Sequence, residues 1–467
     1  MTTPEAQALV LAAGKGTRMK SARAKVLHAA LGAPLLEHVL RAVEALGLHP
    51  VRVVVGHQAE AVRDAFSGRG LEFLAQDPPL GTGHALLAAR GALAGAAPRT
   101  LLVLNGDLPL LRAETLAGLL EAHRREGAAA TLLTAEPAEP ADYGRIVRGA
   151  SGRVQAIVEA RDATPQQLAL REVNAGVYAF EVAPLLAVLE RLRPQNAQGE
   201  YYLTDTVALL AAGGHAVHAW AAADPSEAMG VNTLAELADA DRLLRERRLR
   251  ELMAEGARIE DPPSTFVGLD AVIEPDALIR PFCIVEGRSR LGAGASLGPF
   301  SHLIDTVVGA GARILDHCVL REARVEAGAQ VGPFAHVRPE SVIGPGARVG
   351  NFVELKKTRL GEGAKAPHLS YLGDAEIGSR TNVGAGTITC NYDGVNKHPT
   401  LIGAGVFVGS HRTLVAPVSV GEGAYVGAGS TITENVPPNA LALGRARQVV
   451  KPDWAKRRRE RDRSGKP

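Results

Sequence analysis

"VIEPDALIRPFCIVEGRSRLGAGASLGPFSHL", residues Val272 to Leu303, carries an aliphatic side chain at every sixth position: Ile273, Ile279, Val285, Leu291, Leu297 and Leu303. An α-helix repeats at roughly 3.6 residues and a strand at two, so neither needs a beat of six. A hexad with one inward aliphatic is the mark of a parallel β-helix, in which each repeat forms one side of a coil.

The beat extends in both directions. It starts at Val267, takes a step of five from Leu303 to Val308, and resumes in sixes at Ile314 and Leu320. Another five leads to Val325, then sixes carry it through Val331, Val337, Ile343, Val349 and Leu355. Ile402, Val408, Leu414, Val420, Val426 and Ile432 keep the same step. Glycine often follows the inward position, as in Leu291-Gly292, Val331-Gly332, Val408-Gly409 and Val426-Gly427. A disordered glycine-rich segment does not account for so many aliphatics in register. The break between Thr389 and Ile402 predicts an inserted loop.

Upstream of the hexads, Leu234, Leu237, Asp241, Leu244, Arg248 and Leu252 lie three or four apart with charges between them. That spacing predicts one long helix ending near Gly256, a connector between domains. Before it, short apolar runs alternate with amphipathic segments. Strands are expected at Leu9 to Ala13, Val51 to Val55 and Leu101 to Leu104. Helices are expected at Leu35 to Leu46, Glu60 to Phe66 and Ala85 to Leu93. This alternation predicts a doubly wound, mostly parallel sheet with ligands beyond the carboxyl ends of its strands. The expected organisation is an α/β domain over 1–232, a linker helix over 233–256 and an all-β domain over 257–467.

Bulk composition narrows the partners. The 467 residues are 46% hydrophobic and 22% charged, which suits a soluble globular protein. A net charge of +2 is too near neutral to make nucleic acid the main partner. Cys283, Cys318 and Cys390 have neither disulfide nor zinc spacing, which favours a reducing, cytoplasmic location. No apolar run is long enough for membrane insertion, and the N-terminus lacks the order of a signal peptide. The tail from Lys451 holds eight basic residues against three acidic ones, which suits a solvated, frayed end or, alternatively, an approach to an anionic ligand or surface.

The first strand runs into "LVLAAGKGTRMKS", Leu9 to Ser21, with two glycines and the cations Lys15, Arg18 and Lys20. It is not a Walker A loop, and Met19 stands where a dinucleotide fingerprint needs its third glycine. Small residues still let backbone N–H groups approach phosphate, and cations neutralise it. Lys25 follows, "QDPPLGTGHA" (Gln76 to Ala85) is a second glycine loop opening onto a helix, and Asp107 ends a strand in "LVLNGDLP". A carboxylate there suits Mg²⁺ near phosphate.

Together these stretches resemble the sugar-phosphate nucleotidyltransferases, whose first strand ends in L-x-A-G-x-G-T-R-M. "DYGRIV", "VEARDAT", "VNAGVY", "QGEYYLTD" and "GVNT" then follow in the order of one branch of that family: the bacterial bifunctional uridylyltransferase–acetyltransferases that make UDP-N-acetylglucosamine for the cell envelope. The resemblance covers nearly the whole chain. It implies a Rossmann-like nucleotidyltransferase domain, a left-handed β-helix of hexapeptide repeats and a homotrimer. In the first reaction UTP and N-acetylglucosamine 1-phosphate would give the sugar nucleotide and pyrophosphate. The resemblance puts the Leu11, Ala12, Ala13 and Gly14 backbone on the nucleotide, Arg18 and Lys25 on phosphates, and Gln76, Gly81 and Thr82 on uracil. Gly144, Glu159 and Asn174 would surround the sugar, with Asp107 and Asn232 on Mg²⁺. Asn105 stands where relatives carry a tyrosine near the sugar nucleotide.

The second reaction would move an acetyl group from acetyl-CoA to glucosamine 1-phosphate. "HLSYLGDAEIG" starts at His368, which matches the family's catalytic base, a role worth about 10²- to 10⁴-fold. Arg338, Lys356, Tyr371 and Asn382 match sugar-phosphate positions. Ala385, Asn391, Tyr392, Ser410, Ala428 and Arg445 match acetyl-CoA positions, with Lys397 in the same loop. Pro339-Glu340 replaces an Arg-Pro-Gly turn. Two alternatives were open to a chain of this pattern. A single-reaction enzyme with an inert β-helix would lack His368 and the "CNYDG" loop. An assembly scaffold would have lost Arg18, Lys25 and Asp107.

Overall fold

Ala6–Ala12 is buried along its whole length, as a strand covered on both faces must be. Ala8, Val10 and Ala12 pack with the helices Leu35–Glu44 and Ala113–Glu126 on one side. Leu9 and Leu11 pack with Thr82–Leu93, Val182–Leu189 and Asp205–Ala212 on the other. Alternation of side chains along the strand thus sorts helices to two faces.

The computed structural model describes residues 6–95, 99–140 and 142–463. The chain divides into two compact units, Met1–Arg247 and Arg248–Pro467. In the first, the main path across the sheet is Val217–Ala221, Ala130–Ala135, Val173–Glu181, Thr100–Asn105, Ala6–Ala12, Val51–Val55, Glu72–Ala75. Neighbours are parallel except at Val173–Glu181, which runs antiparallel to both sides. Arg145–Arg148 and Val154–Val158 add an antiparallel hairpin that reaches Val173. Leu11 pairs with Asn105, so two strand ends open side by side at one edge.

The connector predicted from its spacing is one helix, Leu234–Ala254. The boundary between units falls inside it. Asp241 accepts the Leu31 N–H at 2.7 Å and Arg247 donates to the Leu110 carbonyl at 2.8 Å, tying the first half to the α/β unit. Arg248 donates to the Ala271 carbonyl, and Leu249 and Leu252 lie in the core of the second unit. The predicted stripe fails at its start, because Leu234 is 54% exposed.

In the second unit, Val267 pairs with Val285 and Val285 with Leu303, eighteen residues apart each time. Three hexads therefore close one coil of a parallel β-helix. Each step of five shortens a coil, so Leu303 meets Leu320 and Leu320 meets Val337 at seventeen. The inward aliphatics form three buried columns, one of them Ile273, Leu291, Val308, Val325 and Ile343. Glycine after an inward residue lets coils approach: a Cβ on Gly292 would lie 2.8 Å from the Ala310 nitrogen.

The sequence reading named no repeat position between Leu355 and Thr389. The structure puts Leu360, Ala366, Leu372, Ile377 and Val383 there, in register with their neighbours. Two further steps of five and an alanine in the beat hid them. The loop expected after Thr389 is present, since Ile377 pairs with Ile402 at twenty-five residues.

One corner of the coil falls at Phe282, Phe300, His317, Phe334 and Phe352, all with φ between 54° and 62°. Bulky side chains seldom take that conformation. Here the rings stack one coil apart, with centroids 4.7–5.5 Å from each other. Each such pair contributes about 0.5–1.5 kcal/mol, which offsets the backbone strain. The phenylalanines of the ladder remain about half exposed. At another corner, Glu340 turns the chain with φ 62° and Lys357 beside it at 3.7 Å. Trp454–Arg463 is a helix with no buried residue; Lys466 of the same basic tail lies outside the described residues.

Candidate active sites

The strand ends of the first unit open into a cavity of about 670 Å³. Its wall includes Leu11, Ala12, Ala13, Gly14, Arg18, Lys25, Gln76, Gly81, Thr82, Asn105, Asp107, Gly144, Glu159, Asn174 and Asn232. The candidates for the first site, some of them more than two hundred residues apart in the chain, share one cleft.

Glycines make the approach possible. Gly16 has φ 59°, and a Cβ there would lie 2.7 Å from that of Lys25. Gly81 has φ 108°, and its Cβ would meet the Tyr201 carbonyl at 2.6 Å. The loop thereby leads Lys25 inward, where its ammonium forms an ion pair with Asp107 Oδ2. Lys25 Nζ also donates to Asn232 Oδ1 at 2.7 Å, and Arg18 Nη2 donates to the same oxygen at 2.9 Å. Two cations, Arg18 and Lys25, are thus interlocked with two acceptor side chains, Asp107 and Asn232.

The far side of the cleft is quieter. Gln76 Nε2 donates to the Gly81 carbonyl at 2.9 Å and lies 3.1 Å from His84 Nδ1. Asn174 Nδ2 donates to the buried Tyr178 hydroxyl at 2.7 Å, while its Oδ1 accepts the Gly176 N–H. Thr204 donates to Glu159 Oε1 at 3.0 Å. Burial pushes the Glu159 carboxyl above its ordinary range, and the Thr204 bond pulls it partway back. Asn105 lies against Gly176, where a Cβ would come within 2.5 Å of its Nδ2. Tyr178 and Thr204 were not singled out from sequence; both lie inside quoted stretches, but nothing local marks them as partners of Asn174 and Glu159.

The second set of candidates lies on successive coils of the β-helix. His368 pairs in register with Asn351, one coil below, and its Nδ1 is 2.8 Å from Asn351 Oδ1. An amide oxygen accepts, so Nδ1 carries a proton, and in the neutral ring that leaves Nε2 as the nitrogen with the lone pair. The next corners above His368 are Ala385, Ser410 and Ala428. Backbone bonds stack them: Gly386 N–H to Leu369 O, His411 N–H to Ala385 O, Gly429 N–H to Ser410 O. Arg445 follows at the end of that row; burial first, and then the nearby Arg445 charge, disfavour the charge on Arg412.

The sugar-phosphate candidates sit toward the following corner. Arg338 Nη1 donates to Glu354 at 2.8 Å. Lys356 Nζ is 3.1 Å from Asp374 Oδ2, and Lys397 approaches Lys356 from the inserted loop. Tyr371 lies between, paired with Glu354 below and Ile388 above. Asn391 is buried, whereas Tyr392 is 59% exposed with its hydroxyl on the Gly394 carbonyl at 2.6 Å. Asn382 pairs with Lys365 and Phe407 on a neighbouring side of the coil. Asn351 and Asp374 were missed from sequence, although subtracting one coil of seventeen from His368 and from Asn391 reaches them.

Cys283 and Cys318 are buried free thiols, both pushed up to about 11 by burial, and so inert as nucleophiles. Among the described residues no helix is long and apolar enough to cross a membrane, and no group of three or more His, Cys, Asp or Glu side chains could hold a metal.

Comparison with known proteins bears on both units. Residues 8–258 match the family described as MobA-like NTP transferase domain. The bifunctional protein GlmU of Koribacter versatilis is 46% identical over 464 residues, 98% of each chain. That of Pelobacter propionicus is 48% identical over 448 residues, 96% of this chain and 97% of its own. That of Geobacillus thermodenitrificans is 44% identical over 457 residues, 98% and 99%.

Proposed function

This chain belongs to the bifunctional GlmU family, and from that premise we propose that it makes UDP-N-acetylglucosamine in two steps, one in each unit. The β-helix acetylates glucosamine 1-phosphate from acetyl-CoA. The α/β unit then joins N-acetylglucosamine 1-phosphate to UTP and releases pyrophosphate. The observation that carries the reading is the convergence of Arg18, Lys25, Asp107 and Asn232 in one cleft at the strand ends.

In uridylyl transfer the sugar phosphate attacks the α-phosphorus of UTP in line. Both reactants are anionic, so the chain must align them and neutralise charge. Lys25 and Arg18 meet phosphate oxygens, the Leu11 to Gly14 backbone and Gln76 hold the nucleotide, and Glu159 and Asn174 hold the sugar. Asp107 and Asn232 suit Mg²⁺: their oxygens already share a cation, the Lys25 ammonium, as a divalent ion would require. When bound, Mg²⁺ draws charge from the phosphate oxygens.

In acetyl transfer the amine of glucosamine 1-phosphate attacks the thioester carbonyl and loses a proton as the C–N bond forms, while the C–S bond breaks and CoA leaves as its thiol. His368 Nε2 takes that proton, and Asn351 holds the tautomer that leaves it able to do so. Arg338 and Lys356 receive the phosphate, and the row from Ala385 to Arg445 carries acetyl-CoA.

The assembly is a homotrimer whose acetyl site lies between copies. Leu369 and Asp374 mark successive corners, five residues apart, roughly 16 Å of extended chain. His368 and the Lys356–Asp374 pair thus belong to opposite ends of one side, and a neighbouring copy would complete the site between them. The exposed aromatic ladder supplies an apolar stripe for the contact.

The test is incubation with glucosamine 1-phosphate, acetyl-CoA, UTP and Mg²⁺, following CoA, pyrophosphate and sugar nucleotide separately. Pyrophosphate release only when acetyl-CoA is present supports the two-step order. CoA release without any sugar nucleotide counts against the first-unit assignment.

A further inference from the structure

Asp374 sits at a corner of the β-helix with φ 48°. Its N–H donates to the Lys356 carbonyl at 2.9 Å, and its own carbonyl accepts the Thr400 N–H at 3.0 Å. The residue is stitched to the coil below and to the strand that resumes after the inserted loop. One carboxylate oxygen, Oδ2, takes both the Lys356 ammonium at 3.1 Å and the Asn391 Nδ2 amide. The side chain is only 13% exposed. A Cβ on the preceding Gly373 would meet the Tyr371 hydroxyl at 2.6 Å and Asn391 Nδ2 at 2.8 Å, so these groups are crowded around one point.

We propose that Asp374 is a positioning residue for acetyl transfer, joining the sugar-phosphate subsite to the acetyl-CoA loop through its contacts with Lys356 and Asn391. This rests on the acetyl-transfer reading of the second unit. The chemistry follows from donor counting. Lys356 is a flexible stem with a point charge, and a buried carboxylate on one of its three N–H groups limits where the other two aim. Asn391 has one end that donates and one that accepts. With Nδ2 committed to Asp374, its Oδ1 is the end left to accept from a ligand, and among the described residues no hydrogen bond to it is present. The Asn391 carbonyl also accepts the His398 N–H at 2.8 Å, so the same residue anchors the loop that bears Lys397. Without the carboxylate the amide is free to turn over and the lysine to swing, and the two substrates lose a shared reference point.

The experiment is steady-state acetyl transfer by full-length Asp374→Asn, with uridylyl transfer by the same preparation as a fold control. Asparagine is nearly isosteric and tolerates the left-handed corner. The expected result is a rise of about tenfold or more in KM for glucosamine 1-phosphate, the scale of a lost charged hydrogen bond. A rise in KM for acetyl-CoA accompanies it, and melting temperature and uridylyl transfer hold. In an Asp374→Asn/Lys356→Met double variant the KM for glucosamine 1-phosphate matches that of Lys356→Met alone, because both act through one ammonium. If Asp374→Asn does not fold, Asp374→Gly keeps the positive φ and removes the carboxylate, with the same result expected. KM values within about twofold of the native enzyme, or a lowered melting temperature as the sole change, overturn the proposal. A native enzyme with no acetyl transfer at all would instead remove the reading on which it rests.

Discussion

Lys25 and Asp107 form an ion pair on the floor of the α/β cleft, with side chains only 13% and 17% exposed. The ammonium also reaches Asn232, so the lysine assigned to phosphate stands between the two oxygens assigned to the metal. On the proposed assignment, phosphate and metal would enter by exchanging partners with the Lys25 ammonium. Lys25→Met is expected to tighten Mn²⁺ binding to the nucleotide-free enzyme by at least about tenfold, since a like charge leaves the site. Electron paramagnetic resonance of free Mn²⁺ reads this directly. Binding no tighter than native would show that the lysine does not compete for those oxygens.

Asp107→Ala removes the only carboxylate of that pair. It is expected to abolish Mg²⁺-dependent pyrophosphate release and to leave acetyl transfer near native. A variant that still releases pyrophosphate at the native rate would sink the metal assignment.

His368→Ala is expected to lower kcat for acetyl transfer by about 10²- to 10⁴-fold, with little change in either KM and native uridylyl transfer. Asn351→Leu keeps the imidazole but frees its tautomer, so a smaller fall in kcat follows. Loss of acetyl-CoA affinity at unchanged kcat would make His368 a binding residue.

Glu159 is held above the usual carboxyl range by burial. Its ionised form is the costly one in the folded state. The group favours folding below the unfolded carboxyl value and loses that contribution as pH rises through its raised folded value. Glu159→Gln is thus expected to weaken sugar-phosphate binding and yet to melt higher than native at neutral pH. The gap should widen between about pH 4 and pH 8. Calorimetry across that range checks it, and a gap that narrows with pH would contradict the burial argument.

Phe300→Asp with Phe334→Asp places charge in the exposed stack. Light scattering is expected to show monomers, with acetyl transfer lost and uridylyl transfer kept. A trimer of normal activity would move the contact elsewhere on the β-helix.

The coil was legible because burial leaves a periodic trace: one inward aliphatic per side, at Ile273, Ile279 and Val285, survives any change in the residues between. The trace faded from Leu360 to Val383, where short steps and Ala366 broke the count. Part of the cleft was legible through glycine loops and strand-end polar residues, Lys25 and Asp107 among them, whose types follow from phosphate chemistry; Gly144, Glu159, Asn174 and Asn232 were reached only through the family resemblance. Asn351 and Asp374 were not, because a residue that acts by holding another carries no signature of its own. Their meaning appears only when the coil length is known and His368 and Asn391 are traced one layer down. The aromatic ladder was hidden for the same reason: Phe300 and Phe334 look isolated in a chain that is only 4% aromatic.

Eighteen-residue pairing, as between Ile279 and Leu297, makes the second unit a ruler graduated in strand spacings of about 4.8 Å. Everything assigned to acetyl chemistry lies from Arg338 onward. Inserting one full coil before that point would lengthen the prism by a single graduation and leave every chemical neighbour in place. Inserting half a coil would instead leave the coils on either side of the insertion out of register, with strand edges unpaired at that point. Length and catalysis are therefore separable properties of this solenoid, and a lineage can vary one in whole coils without disturbing the other.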